Sequence, residues 1–89
     1  MKQTEYPHIY LDPKGQAQLG NSRMKVAHLA TGHVHHGWSA QELFWQYPNL
    51  SLAEIHSALA YYYDHKDSVD LELQKAEVEL EKLGSNTDR

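Results

Sequence analysis

"GWSAQELFWQYPNLSLAEIHSALAYYYDH", residues 37–65, states one phrase twice, and that repetition decides the fold. Ser39-x-x-Glu42 opens a first helix and Ser51-x-x-Glu54 a second. In each, the serine side chain can accept the backbone N–H three residues on, while the glutamate reaches back to the serine N–H. Trp38, just before the first cap, is placed to staple onto Leu43. Pro48 ends the first helix because the residue before a proline is pushed out of the α region. Asn49 and Leu50 then make the turn. The spacing predicts helices from Ala40 to about Tyr47 and from Leu52 to about His65, the second with Leu52, Ile55, Leu59 and Tyr62 as its core stripe. A short helix, a turn of about four residues and a longer helix have helix-turn-helix dimensions.

Upstream, "HIYLDPKGQAQL" (His8–Leu19) reads as a β-ribbon. Ile9 and Leu11 alternate with polar neighbours, and Asp12-Pro13-Lys14-Gly15 supplies a turn in which proline presets φ and glycine accepts the exit conformation. Two strands alone are marginal in water, so the ribbon must lie on the helices. Gly20 and Asn21 form a hinge, Ser22 is the expected N-cap, and a helix is expected from Met24 with Val26, Leu29, Ala30 and His33 on one face. Gly37 is its expected C-terminal stop. Gly32 inside that helix costs about 1 kcal/mol relative to alanine, which close packing of another element would explain.

Downstream, Asp67 is the expected N-cap of a last helix, Ser68 to Leu83, stopped by Gly84 and followed by a frayed tail. Val69, Leu73, Ala76, Leu80 and Leu83 recur at heptad spacing, and Leu71 and Val78 form a second apolar line beside them. The expected organisation is a ribbon plus helix-turn-helix domain over residues 1–66, an acidic amphipathic helix over 67–84 and a disordered tail over 85–89. The fold class expected is mainly α: a short N-terminal β-ribbon, a winged-helix-like or homeodomain-like helix-turn-helix three-helix core and a C-terminal amphipathic helix.

Eighty-nine residues without cysteine make one thin-cored domain with neither disulfides nor thiolate zinc sites. No apolar run is long enough to span a bilayer and Met1–Pro7 lacks a signal-peptide core, so a soluble, cytoplasmic protein is expected. The net charge of −4 is unevenly spread. Residues 1–37 carry Lys2, Lys14, Arg23 and Lys25 against Glu5 and Asp12, whereas residues 38–89 carry four basic and ten acidic side chains. A thin core and a sticky last helix both profit from a second copy, so a homodimer is expected.

Enzymatic motifs are missing: no G-x-S-x-G, no H-E-x-x-H and no glycine-rich phosphate loop. The expectation is a protein that is not an enzyme and holds no cofactor. His33 and His36, at i and i+3, have the spacing to share a metal ion, but His33 falls on the apolar face and no cysteine or well-spaced carboxylate joins them. Structural or solvated histidines are the expected reading.

Charge also weighs against reading DNA with the second helix of the pair. Its expected outward side, Ala53, Glu54, Ser57, Ala60, Tyr61 and Asp64, has no positive charge and two negative ones, whereas duplex affinity comes largely from neutralising phosphates. The candidate phosphate contacts are instead Lys14, Arg23 and Lys25, with Lys2 beside them. The candidate protein-docking residues are Val69, Leu73, Glu77 and Leu80, an apolar seam flanked by carboxylates.

"HIYLDPKGQAQLGNSRMKV" followed by the stretch at 37–65 resembles domain-of-unknown-function family 433. The match runs over about residues 8–66, and its most specific part is Tyr47-Pro48-Asn49-Leu50-Ser51 through Tyr61-Tyr62. The resemblance implies a small helix-turn-helix, winged-helix-like fold. It also implies an antitoxin of the VapB type that binds and neutralises a PIN-type nuclease toxin and represses its own operon. A DNA-binding regulator without a toxin is the alternative. The family's Gly-Thr-Arg stands here as Asn21-Ser22-Arg23, and its ribbon proline as Ala17. Arg23 is the one matched basic residue, either a pin for the ribbon or a phosphate contact.

Overall fold

A computed structural model of the protein describes residues 2–20 and 24–75. Its elements are β1 (Lys2–Gln3), β2 (Ile9–Leu11), β3 (Ala17–Leu19), α1 (Val26–His36), α2 (Ala40–Gln46) and α3 (Leu52–Asp64), followed by α4, helical over the described residues 66–75. The fold is mainly helical with a small N-terminal antiparallel sheet, as the sequence predicts.

The ribbon forms at the expected turn and acquires a third strand. Ile9 pairs with Leu19 and Leu11 with Ala17, so one face of the pair is apolar; Ile9 and Leu19 are fully buried. Asp12 builds the turn with its side chain, accepting the N–H groups of Lys14 and Gln16 at 2.9 Å each, and Gly15 takes the left-handed φ of 82°. β1 adds itself to the other edge, Lys2 opposite Leu11 and Gln3 opposite Tyr10. A two-residue strand has too few side chains to announce itself by alternation, which is why the sequence hides it.

α1 starts later than the sequence predicts. Leu19 N–H donates to Met24 O at 2.9 Å and Gln18 bridges Lys25, so Met24 and Lys25 continue the ribbon's edge. Lys25 is the N-cap in an extended conformation with no side-chain cap, and Val26 is the first helical residue. The helix ends as expected at Gly37, whose φ of 69° lets its N–H turn back to Gly32 O.

Both capping boxes form. Ser39 N–H donates to Glu42 Oε1 at 3.0 Å and Glu42 N–H to Ser39 Oγ at 3.2 Å; the Ser51–Glu54 pair repeats this at 2.8 and 3.1 Å. Each box satisfies two N–H groups that a helix start otherwise leaves unbonded, and losing such a cap costs about 1 kcal/mol.

The core stripe of α3 is rotated from the expected one. Ile55, Ala58 and Tyr62 are buried and Leu59 is half-buried, whereas Leu52 is exposed. Leu50, expected in the turn, fills the core at that end. It donates its N–H to Tyr47 O at 3.0 Å, and this tight turn swings its side chain inward. α3 packs against both α1 and α2 and against β2, while α1 covers β3.

α4 begins at residue 66 rather than after Asp67, and a single non-helical residue, His65 (φ −126°, ψ 36°), separates it from α3. The His65 ring stacks on Tyr61 at 4.2 Å and its Nδ1–H donates to Tyr61 O at 3.1 Å, while Val69 N–H donates to His65 O at 3.0 Å. The turn is thereby bonded on both sides. Val69 is buried in the domain core and Leu73 packs against it. Asn21, Ser22 and Arg23, the expected helix at 76–83, its Gly84 stop and the tail at 85–89 lie outside the described residues.

Candidate functional site

The acidic helix meets its own domain through the seam expected to dock a partner. Val69 is 3% exposed and Leu73 half-buried, so both fasten α4 to the body of this chain. Glu77 and Leu80 lie outside the described residues. Among the described residues of α4, the large apolar side chain left to solvent is Leu71, 52% exposed, from the second line. In sequence, Val78 follows it by seven residues. Tyr62 adds a polar pin: its buried hydroxyl donates to Asp70 Oδ1 at 3.1 Å.

Of the candidate phosphate contacts, Lys14 stands exposed on the β2–β3 turn, Lys25 sits at the start of α1, and Arg23 lies outside the described residues. Lys25 forms an ion pair with Asp12. The Lys25 ammonium, with the N–H groups of Gln16 and Lys14, holds the Asp12 carboxyl below the usual carboxylate range. Lys25 therefore ties the ribbon turn to α1 and has less charge to offer a ligand. The structure also brings α4 to this place. Lys14, Gln16, Lys25, Ala27, His28, Thr31, Glu72, Leu73 and Lys75 line one cleft. Burial pushes the Glu72 carboxyl up from its ordinary value, with Lys25 opposing and Asp12 reinforcing the shift. Sequence reasoning missed Lys75 and His28 here, because nothing local signals that α4 folds back beside the ribbon.

On α3 the side chains most exposed to solvent are Leu52, Ala53, His56, Ala60, Tyr63 and Asp64. The set differs from the expected one, since Glu54, Ser57 and Tyr61 are half-buried, yet it also contains neither lysine nor arginine. Among the described residues, Trp45 on α2 is the most exposed of the large apolar side chains, at 67%.

His28, His33, His36 and His65 are engaged with aromatic neighbours. His33 Nδ1–H donates to Trp38 O at 2.7 Å, which leaves Nε2 to accept the Tyr63 hydroxyl. That arrangement joins α1, the α2 cap and α3 through one imidazole. His36 stacks on Trp38 at 4.6 Å. Among the described residues no three His, Asp or Glu side chains come close enough to hold a metal ion, and no helix is long and apolar enough to cross a membrane.

A small helical domain with a ribbon-fed first helix, two capping boxes and an aromatic third helix is the class that this geometry defines. The family model described as a protein of unknown function, DUF433, matches residues 14–62, more than half of the 89-residue chain. The chain belongs to that family. No curated protein and no solved structure matches it.

Proposed function

We propose that this chain is a non-enzymatic interaction protein of the antitoxin kind. It acts in the cytosol as a homodimer, binds and neutralises a PIN-type nuclease and represses its own operon. The observation that carries this reading is Leu71, half-exposed on an acidic helix that Val69 and Leu73 already anchor. A helix so fixed presents an apolar line at little further entropic cost, and the flanking carboxylates suit the basic surround through which a nuclease holds RNA. The docking face on this reading is that of Leu71, not that of Val69 and Leu73.

The test is native mass spectrometry of the chain captured from its own cells, followed by an RNase assay of whatever co-purifies. A small basic protein whose cleavage activity falls when the chain is added back supports the reading, and Leu71→Asp must then release it without unfolding the domain. Homodimer alone, or a companion without nuclease activity, sinks it.

The second reading is a helix-turn-helix regulator of DNA, favoured by the dimensions of α2, its turn and α3. The lack of cationic side chains on the exposed side of α3 counts against it. Salt-sensitive binding of the upstream duplex, weakened by Arg23→Ala, would establish it.

A further inference from the structure

The cleft between the β2–β3 turn, the start of α1 and α4 brings three lysines together among the described residues. Its volume of about 480 Å³ falls within the range of small-ligand pockets. Lys14, Lys25 and Lys75 line it with Glu72, and Lys25 is paired with Asp12, so Lys14 and Lys75 are the lysines left to a ligand, in a chain whose net charge is −4. We propose that this cleft binds a phosphate group, with Lys14, Lys75 and His28 as its contacts.

Lys25 is held by Asp12, whose other oxygen takes the Lys14 and Gln16 N–H groups. That knot fixes the turn carrying Lys14 to the helix carrying His28. Among the described residues the Lys14 and Lys75 ammoniums have no hydrogen-bond or ion-pair partner, so a ligand need not displace one. Lys14, His28 and Lys75 come from three separate elements, so an anion between them would bridge the turn, α1 and α4. Two lysines on flexible stems act as point charges, which suits a tetrahedral anion with several acceptor oxygens; a carboxylate is matched better by the planar fork of an arginine. Ala27 and Leu73 give the cleft an apolar wall for the body of a ligand.

The phosphate comes either from a free phosphorylated small molecule or from a nucleic-acid backbone. The proposal goes beyond the protein-binding reading, which uses the Leu71 face, and does not rest on it.

The experiment titrates the full chain at low salt with inorganic phosphate, a nucleoside monophosphate and a short DNA duplex, following backbone amide shifts by NMR. The same titrations are run on the double variant Lys14→Gln/Lys75→Gln, whose fold is checked by its thermal melt. Saturable shifts centred on Lys14, His28 and Lys75, with binding about tenfold weaker in the variant, are expected. Tightest binding of the monophosphate assigns a small ligand; tightest binding of the duplex through the same residues assigns a nucleic acid. No saturable response to any probe, or a response that the double substitution leaves unchanged, overturns the proposal.

Discussion

The indole of Trp38 closes over Gly32: a Cβ on that glycine would stand 2.8 Å from Trp38 Cε3 and 3.2 Å from Leu43 Cδ2. The hydrophobic staple of α2 and the glycine of α1 are thus two halves of one contact. The glycine costs α1 about 1 kcal/mol of helix propensity, and any side chain there pushes the α2 start away.

Gly32→Ala is therefore expected to destabilise the protein by about 1 kcal/mol. An overpacking cost of about 1–3 kcal/mol is partly offset by about 1 kcal/mol of regained helix propensity. For a domain of this size that lowers Tm by roughly 4–8 °C. In a Trp38→Leu background the same substitution is expected to be neutral or stabilising. Urea melts of both singles and the double variant check this. An equal loss in both backgrounds would show that the indole is not what the new methyl meets.

Val69 and Leu71 lie two residues apart on α4 and are expected to separate stability from binding. Val69→Ala removes buried methyl groups and leaves a cavity, a loss of about 2 kcal/mol. Leu71→Ala takes away a half-exposed side chain and is expected to shift stability by no more than about 0.5 kcal/mol. Denaturant midpoints of the two variants measure the contrast. Similar losses from both would place α4 in a different rotation on the domain.

The same pair shows what the sequence discloses. A heptad pattern marks Val69 and Leu73 as apolar on one side without saying whether the domain or a partner covers them. Leu52 raises the same difficulty: its spacing fits the stripe of Ile55, Leu59 and Tyr62, yet the neighbouring elements cover Ala58 instead and Leu50 fills the end of the core. The capping boxes, the Asp12 turn and the Gly37 stop are legible because each is completed within about five residues. Pairings at a distance are not. Lys25 finds Asp12 thirteen positions away and His33 finds Tyr63 thirty away, and both contacts change what those residues can do. The start of α1 lies later than its sequence suggests for the same reason, since Met24 and Lys25 are claimed by β3.

Asp12 is expected to contribute to the loss of stability in acid. Its folded pKa lies below the ordinary 3.8, chiefly because of the Lys25 ammonium. Between the folded and unfolded values the unfolded chain binds more protons, so stability rises with pH there. The contribution is present above about pH 4 and lost as pH falls through the folded value. Glu42, lowered by its bonds to the Ser39 N–H and hydroxyl, acts in the same direction, and Glu72, raised by burial, acts in the opposite one. Asp12→Asn should be less stable at neutral pH and lose less on acidification, so the two proteins converge in acid. Urea midpoints across the pH range test this; parallel curves would clear Asp12 of the effect.

Tyr62 and Tyr6 both act on the alkaline side. Burial first, then the hydrogen bond to Asp70 and its charge, push the Tyr62 hydroxyl from 10.0 to about 12. Tyr6, bonded to Asp64, is also raised to about 12. An unfolded tyrosine ionises near pH 10, so between roughly 10 and 12 the folded protein keeps protons that the unfolded chain has released. The stabilising contribution is complete below the unfolded value and disappears as pH rises through the folded one. Tyr62→Phe keeps the ring in the core and deletes the bond to Asp70, at a cost of about 1 kcal/mol at neutral pH. It should also shorten the alkaline decline without abolishing it, since Tyr6 remains. In a tyrosinate absorbance titration the late-ionising fraction should shrink by one residue, and amide exchange over 69–73 should quicken as α4 loses its pin. An unchanged late fraction would mean that Tyr62 ionises with the exposed tyrosines and that Asp70 does not hold it.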